Sequence, residues 1–339
     1  MKSITIPGQP LAEEILNKQL KNDRITHAYL LSGPRGTGKS RAEQGLLAHL
    51  NCLNLSEKAC GECISCRLLA KGEHPDVETI VPEGASIKIA QMRKVSEKAG
   101  YSAQMGGFKS FIFKQTEKMT PDAANSMLKL FEDPPEKTIF ILETENTQAL
   151  PQTIVSRCQE IRFFPLSKEI MELILRKENN SIAVLEPEKL TTLLNLAEGS
   201  LTRAVEFLEE TEAEKRKELF QLLDTLEKKS FREIISWVEK TEKSNKQIKD
   251  STSREETRKI VALMLSWYRD LLVWKLSEKE ELIINRDFFP LIANQSLSGE
   301  KALSSLKYLR EKTEDFSHNP NIKLFLWTIL LKQRIFLAS

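Results

Sequence analysis

Apolar residues over the first 165 positions follow two alternating rhythms. Short runs rich in β-branched and aromatic residues, at 28–31, 77–81, 111–113 and 138–142, read as buried strands, because a strand covered on both faces has no polar alternation to show. Between them, at 11–20, 39–50, 89–101 and 123–131, apolar positions recur at the spacing of one helix face. Strands alternating with helices predict a parallel α/β sheet, since each parallel strand needs a crossover to bring the chain back.

After Phe163-Phe164-Pro165 the strand rhythm stops. Ile170 and Ile174, then Leu190, Leu193, Leu194 and Leu196, then Leu201, Val205 and Leu208 predict three short helices closing near Thr211. From Glu212 the chain is charged and helical, with polar breaks expected at 240–256 and 294–299. Val261, Leu265, Tyr268, Leu272 and Leu276 share one helix face, and Ile322, Leu326, Ile329 and Leu330 another. Both read as bundle core. Trp267, Trp274 and Trp327 are also suited to an interface, where aromatics are enriched. The expected division is 1–165, 166–211 and 212–339, an α/β part followed by an all-α part.

Composition narrows the choice of chemistry. The 339 residues allow two or three domains, each with its own core. With 50 Lys and Arg against 48 Asp and Glu, the net charge is +2, which excludes a chain that holds nucleic acid by bulk charge alone. No run reaches the roughly 18 apolar residues of a membrane span, and the N-terminal Met-Lys-Ser-Ile-Thr-Ile-Pro lacks a signal peptide's apolar stretch. The expected location is the cytoplasm.

Gly33-Pro34-Arg35-Gly36-Thr37-Gly38-Lys39-Ser40 is a complete phosphate-loop motif, set between a predicted strand and a predicted helix as the motif requires. Its glycines let backbone N–H groups curl around phosphate oxygens, Lys39 reaches the outer phosphates, and Ser40 is placed to ligate magnesium. Hydrolysis needs more, namely an acid at the end of a second strand to hold the metal and position water. The run Phe111-Ile112-Phe113 ends instead in Lys114-Gln115, and a lysine repels the metal that a carboxylate attracts. Glu117, the nearest acid, lies past the strand end.

Four of the five cysteines crowd together as Cys52-x7-Cys60-x2-Cys63-x2-Cys66. In a reducing compartment this reads as a metal site, and four thiolates on a short hairpin-like insertion favour a closed, structural zinc site. An iron–sulfur reading lacks the fourth Cys three residues on, followed by Pro; unligated thiols are the third possibility. His74 is a substitute ligand or a turn histidine before Pro75. Leu53-Asn54-Leu55 and Glu57 disfavour the segment as a DNA contact, leaving only Lys58, Arg67 and Lys71 to face phosphates.

The segment 27–33, the phosphate loop, the four-Cys insertion, the segment Ala123-Ala124-Asn125-Ser126-Met127-Leu128-Lys129-Leu130-Phe131-Glu132-Asp133-Pro134-Pro135 and Ser156-Arg157-Cys158 together resemble the bacterial clamp-loader family of AAA+ ATPases through about residue 210. The resemblance implies an AAA+ P-loop sheet with a zinc-binding insertion, a small helical lid and a C-terminal helical collar. It implies that Gln9 packs by the adenine with Ile6 and Pro7, and that Thr144 or Glu145 takes the place of the polar sensor. It also implies that Arg157 acts in trans on the ATP of a neighbouring subunit. The lid arginine of motor subunits falls on Thr202, with Arg203 one place late. The implied cofactors are ATP, as a Mg-nucleotide held statically, and zinc. The implied partners are gamma or tau and delta subunits in a hetero-oligomeric ring, the sliding clamp, and primed DNA through the assembled complex. A non-motor subunit fits Lys114-Gln115; an active ATPase motor is the alternative.

Overall fold

Five strands, β1 (Ala28–Ser32), β2 (Val77–Ile80), β3 (Lys109–Phe113), β4 (Thr138–Thr144) and β5 (Gln159–Arg162), pair in parallel in the order β2-β3-β4-β1-β5. They come from a computed structural model that describes residues 3–54, 59–178, 185–208, 210–245, 250–315 and 321–338. The chain divides into two units, residues 1–178 with 198–202, and 179–197 with 203–339. The sheet is the centre of the first.

Both β1 and β4 are buried along their whole length, as an uninterrupted apolar run requires of strands covered on both faces. On one face α1 (Pro10–Lys21) and α2 (Lys39–Asn51) pack Leu16 and Leu46 against Tyr29, Leu31, Ile139 and Ile141. On the other, α4 (Ile89–Ala99), α5 (Pro121–Glu132) and α6 (Gln152–Val155) bring Met92, Met127 and Ile154 onto Leu30, Phe111 and Phe140. A shorter helix, α3 (Ile64–Lys71), carries part of the cysteine segment, and α7 (Lys168–Glu178) follows the sheet. Because the strands are parallel, the carboxyl ends of β1, β3 and β4 face the same edge, where α/β sheets build ligand sites.

The second unit is helical: α8 (Pro187–Ala197), the part of α9 (Leu201–Leu208) from Arg203 on, α10 (Glu210–Asp224), α11 (Phe231–Asn245), α12 (Asp250–Ser277), α13 (Phe289–Asn294), α14 (Gly299–Asp315) and α15 (Ile322–Ala338). Its core includes Phe220, Val238, Val261, Met264, Leu309, Ile329 and Leu330. Arg216 is buried between the rings of Phe220 and Phe288, and donates to both oxygens of Asp287 (2.6 and 2.9 Å) and to Asn285 (2.7 Å). Fully buried Asp270 accepts from the backbone N–H groups of Ile284 and Asn285 at 3.0 and 2.7 Å. A buried charge is tolerated only when so paired, and these bonds pin the 284–288 segment to the bundle.

Four expectations change. The edge strand β5 was not anticipated: Gln-Glu-Ile-Arg buries only Ile161, too little to show a period. Among the described residues of the cysteine segment there is no strand pair of a hairpin, and residues 59–63 lead directly into helix α3. The polar break at 240–256 is narrower, since α11 runs to Asn245 and α12 begins at Asp250; residues 246–249 lie outside the described set, as do Leu55, Glu57 and Lys58. Trp267 is 0% exposed and packs on Phe220 with ring centroids 5.0 Å apart, so it belongs to the core and offers no interface. Among the described residues no helix is long and apolar enough to cross a membrane.

Candidate functional site

The phosphate loop leaves β1 and enters α2 around a cavity of about 520 Å³, a size suited to a nucleotide. Gly38 caps α2 at φ 106°, a conformation that side chains with a Cβ resist. At Gly33 a Cβ would lie 2.1 Å from the Phe163 carbonyl oxygen, so only glycine lets β5 and the loop approach. Gly33 also donates its N–H to Thr144 O at 3.0 Å, which ties the loop to the end of β4. Lys39 is 7% exposed, and its ammonium donates to the carbonyls of Gly33 (2.5 Å) and Pro34 (2.7 Å). Burial holds its pKa below the ordinary lysine value against the pull of Glu143, Glu145 and Glu117. A bound phosphate oxygen is the natural acceptor to compete for those N–H donors.

Arg35, Gly36, Thr37, Gly38, Lys39, Ser40 and Thr144 all line the cavity, with Ile6, Pro7, Glu145 and Thr202. Gly33 and Pro34 are not among its lining residues. Nor is Gln9: its Nε2 donates to Thr37 O (3.1 Å) and Phe164 O (2.6 Å), and its Oε1 accepts from Phe164 N (3.1 Å). That clasp joins the loop to the chain leaving β5, and the Gln9 amide is consumed by backbone rather than turned toward a base. Arg203 belongs to the second unit.

At the end of β3 the Lys114 ammonium donates to Glu43 Oε2 at 2.7 Å and to Glu143 Oε1 at 2.8 Å. Neither glutamate was singled out by sequence, because Glu43 sits 71 residues and Glu143 29 residues from Lys114. The only local signal was that Glu43 lies one helical turn beyond Lys39. Gln115 follows at φ 54°, a left-handed conformation that costs a non-glycine residue about 1 kcal/mol. The Thr144 hydroxyl is 2.8 Å from Glu117 Oε2 and 3.1 Å from Asn146 O.

Arg157 follows α6, outside the cavity lining. It is 34% exposed, with one guanidinium nitrogen 2.5 Å from Glu132 Oε1 and the other donating to Thr153 O at 2.9 Å.

The four clustered cysteines bring their sulfurs within 4.8 Å of one another. Cys52 ends α2 and Cys63 caps α3. Backbone N–H groups of Cys63 and Cys66 point at Cys60 Sγ and Cys63 Sγ, each at 3.4 Å. The Sγ separations of 3.6 Å (Cys52–Cys60) and 4.0 Å (Cys52–Cys63) match the edge of about 3.8 Å expected for a tetrahedron with metal–sulfur arms of about 2.3 Å. Burial favours the protonated form of Cys52, Cys63 and Cys66. N–H···S bonds nevertheless bring Cys63 down to about 6, while Cys66 is pushed up to about 12. Sulfurs this close cannot all be thiolates without a cation among them, so the cluster is able to hold one metal ion. His74 is no ligand. Its Nδ1 accepts from Asp76 N (3.2 Å), and its Nε2 lies 3.0 Å from Ser65 Oγ, which itself donates to Asn51 O. The proton is therefore on Nε2. Cys158 stands apart, its pKa raised to about 12 by burial.

A family described as "DNA polymerase III, delta subunit" matches residues 8–167. DNA polymerase III subunit delta' of Bacillus subtilis is 31% identical over 294 residues, covering 85% of this chain and 84% of that protein. The chain belongs to the family of DNA polymerase III delta' subunits. Delta' of Haemophilus influenzae is 28% identical over 62% of this chain and 68% of that one. Subunit tau of Escherichia coli is 33% identical, but this chain spans only 31% of its length. A gamma-subunit-related protein from Thermotoga maritima aligns over 94% of this chain and 98% of its own at 22% identity, with a TM-score of 0.46. The match over 8–167 takes in the phosphate loop, the four clustered cysteines, Lys114, Thr144 and Arg157.

One consequence of the Glu43–Lys114–Glu143 arrangement is a pH effect. Burial raises the Glu43 carboxyl from 4.5 to about 7 in spite of Lys114. A raised folded-state pKa gives stability that is complete below the unfolded value and lost as pH rises through the folded one. The stability of the wild type relative to Glu43→Gln is therefore expected to fall between about pH 5 and pH 8, by a few degrees of melting temperature. Thermal melts of both proteins across that range check it, and parallel curves would refute the assignment.

Proposed function

We propose that this chain, as a delta'-type clamp-loader subunit, binds a nucleotide that it hardly hydrolyses and presents Arg157 to the nucleotide of a neighbouring motor subunit. The ring would contain gamma or tau and delta subunits and would place the sliding clamp on primed DNA. On this reading residues 1–165 are the nucleotide-binding domain, 166–211 its lid and 212–339 the collar. Zinc on Cys52, Cys60, Cys63 and Cys66 would hold the insertion rigid, without chemistry of its own, since four protein ligands leave no open position.

The observation that carries the reading is the end of β3. Phosphoryl transfer to water needs a carboxylate there to hold magnesium, and this chain has the ammonium of Lys114 tied to Glu43 and Glu143. The loop beside it keeps every residue that binding requires. Arg157, outside its own cavity and partly exposed, suits a group that serves another subunit's phosphates.

The test is Lys39→Ala in this subunit alone. Its nucleotide affinity is expected to fall by about tenfold or more, as loss of a charged phosphate donor implies, while ATP turnover of the loader reconstituted with clamp and primed DNA stays within about twofold. Collapse of turnover would make this chain a motor. An unchanged affinity would mean that the loop no longer binds.

A further inference from the structure

Where a P-loop site holds magnesium, the metal lies between the loop's Ser or Thr hydroxyl and a strand-end carboxylate, and bridges the outer phosphates. In this chain the hydroxyl is present as Ser40, but the strand end offers an ammonium. Lys114 lines the same cavity as Lys39 and Ser40, and is fixed at 2.7 and 2.8 Å from the buried carboxylates of Glu43 and Glu143. Those oxygens are the ones a metal at this place would need. Magnesium demands near-octahedral oxygen ligands at about 2.0 to 2.1 Å and gives up its waters reluctantly, and an ammonium already seated on one oxygen of each glutamate repels a dication placed beside it. The other carboxylates of the cavity are engaged or exposed to solvent. Glu117 holds the Thr144 hydroxyl at 2.8 Å, Glu178 holds Arg41 at 3.0 Å, and Glu145 is exposed. The donor set does not fit the metal.

We infer that this chain takes its nucleoside di- or triphosphate without magnesium, Lys114 supplying the positive charge that the metal supplies in a motor subunit. The inference rests on the nucleotide-binding reading and deepens it. Lys114 is held by two carboxylates, so it stays at the cavity wall when phosphate is absent and needs no reorganisation when phosphate arrives. An ammonium is a point charge with three donors; two are on Glu43 and Glu143, which leaves one for a phosphate oxygen. It cannot acidify or orient a water as a metal does, so the same substitution that makes binding metal-free also keeps the nucleotide intact. The site becomes a static ligand site.

The experiment is equilibrium binding of a fluorescent ADP or ATP analogue to the full chain, in millimolar magnesium and again in EDTA after metal-free dialysis; the zinc content is measured in both samples so that only zinc-loaded protein is compared. Affinities that agree within about twofold are the expected result, because no metal bridge is lost. Affinity about tenfold or more tighter in magnesium would overturn this inference and leave the nucleotide-binding reading standing. No binding in either buffer, by protein with an unchanged melting curve, would overturn both. As a second measurement, Lys114→Gln is expected to weaken binding in EDTA by about tenfold, the loss of one charge-assisted contact. Equal binding by that variant in EDTA would also count against Lys114 as the counter-charge.

Discussion

Replacing Arg157 with alanine is expected to lower the ATP turnover of the reconstituted loader, with clamp and primed DNA, by about tenfold or more, since an arginine finger is worth on the order of 10³ to 10⁵ at the site it serves. The effect should appear although the variant chain binds nucleotide as well as the wild type, because Arg157 does not line this chain's own cavity. Its intrachain contacts predict almost no structural cost. A pair with Glu132 between partly exposed side chains contributes about 1 kcal/mol or less, and the bond to Thr153 O is a single peripheral one. Arg157→Lys should not restore turnover, because lysine keeps the charge but loses the planar fork. Glu132→Ala, which removes the intrachain partner and leaves the guanidinium in place, should preserve turnover. If Arg157→Ala turned over ATP like the wild type in an assembled ring, Arg157 would be an ordinary surface arginine, paired with Glu132 and nothing more.

Removal of the metal is the second large effect. Purified protein is expected to carry close to one zinc per chain, and Cys60→Ser with Cys63→Ser to carry almost none. Structural zinc sites contribute apparent binding energies of about 10 to 16 kcal/mol, part of which is spent ordering the ligand loop. The net loss should still lower the melting temperature of the first unit by about 10 °C, given a few degrees per kcal/mol in a domain of this size. The damage has a direction. Ser65 and Asn51 link the cluster to His74, and Asn51 accepts from Phe108 N at 2.8 Å. Loosening should therefore spread from α3 to the start of β2 and the loop before β3, readable as faster amide exchange there. A protein free of metal, with unchanged melting in the double variant, would leave the cluster as four unligated thiols.

Much of this molecule is written in short stretches of chain. The phosphate loop needs no partner to be legible, because its spacing alone curls the backbone. The Cys-x2-Cys-x2-Cys run likewise places three sulfurs in reach of one ion through local geometry. Strands β1 and β4 could be read because burial on both faces leaves an unbroken apolar run, and the loss of the strand-end acid because Lys114 directly follows β3. Where the reading fell short, the signal was weak or misleading at short range. β5 has one buried residue. The end of α11 and the start of α12 looked like a break because their sequence, rich in Lys, Glu and Ser, is as hydrophilic as that of a loop. Trp267 matched the composition of an interface as well as that of a core.

By itself, then, the amino-acid sequence determined the parallel α/β plan, the helical remainder, the phosphate loop, the four-thiol cluster and the absence of an acid after β3. Only the tertiary structure decided what surrounds Lys114. Glu43 arrives on a helix and Glu143 on a neighbouring strand, and their approach depends on the order of strands rather than on spacing along the chain. The same holds for Gln9, whose amide bonds reach residues 28 and 155 positions away. The reason is physical: periodicity and motif spacing record conformations set by neighbouring residues, whereas charges in a buried site are balanced through space. Whether a lysine repels a metal or takes its place depends on which carboxylates the fold brings within 3 Å of it.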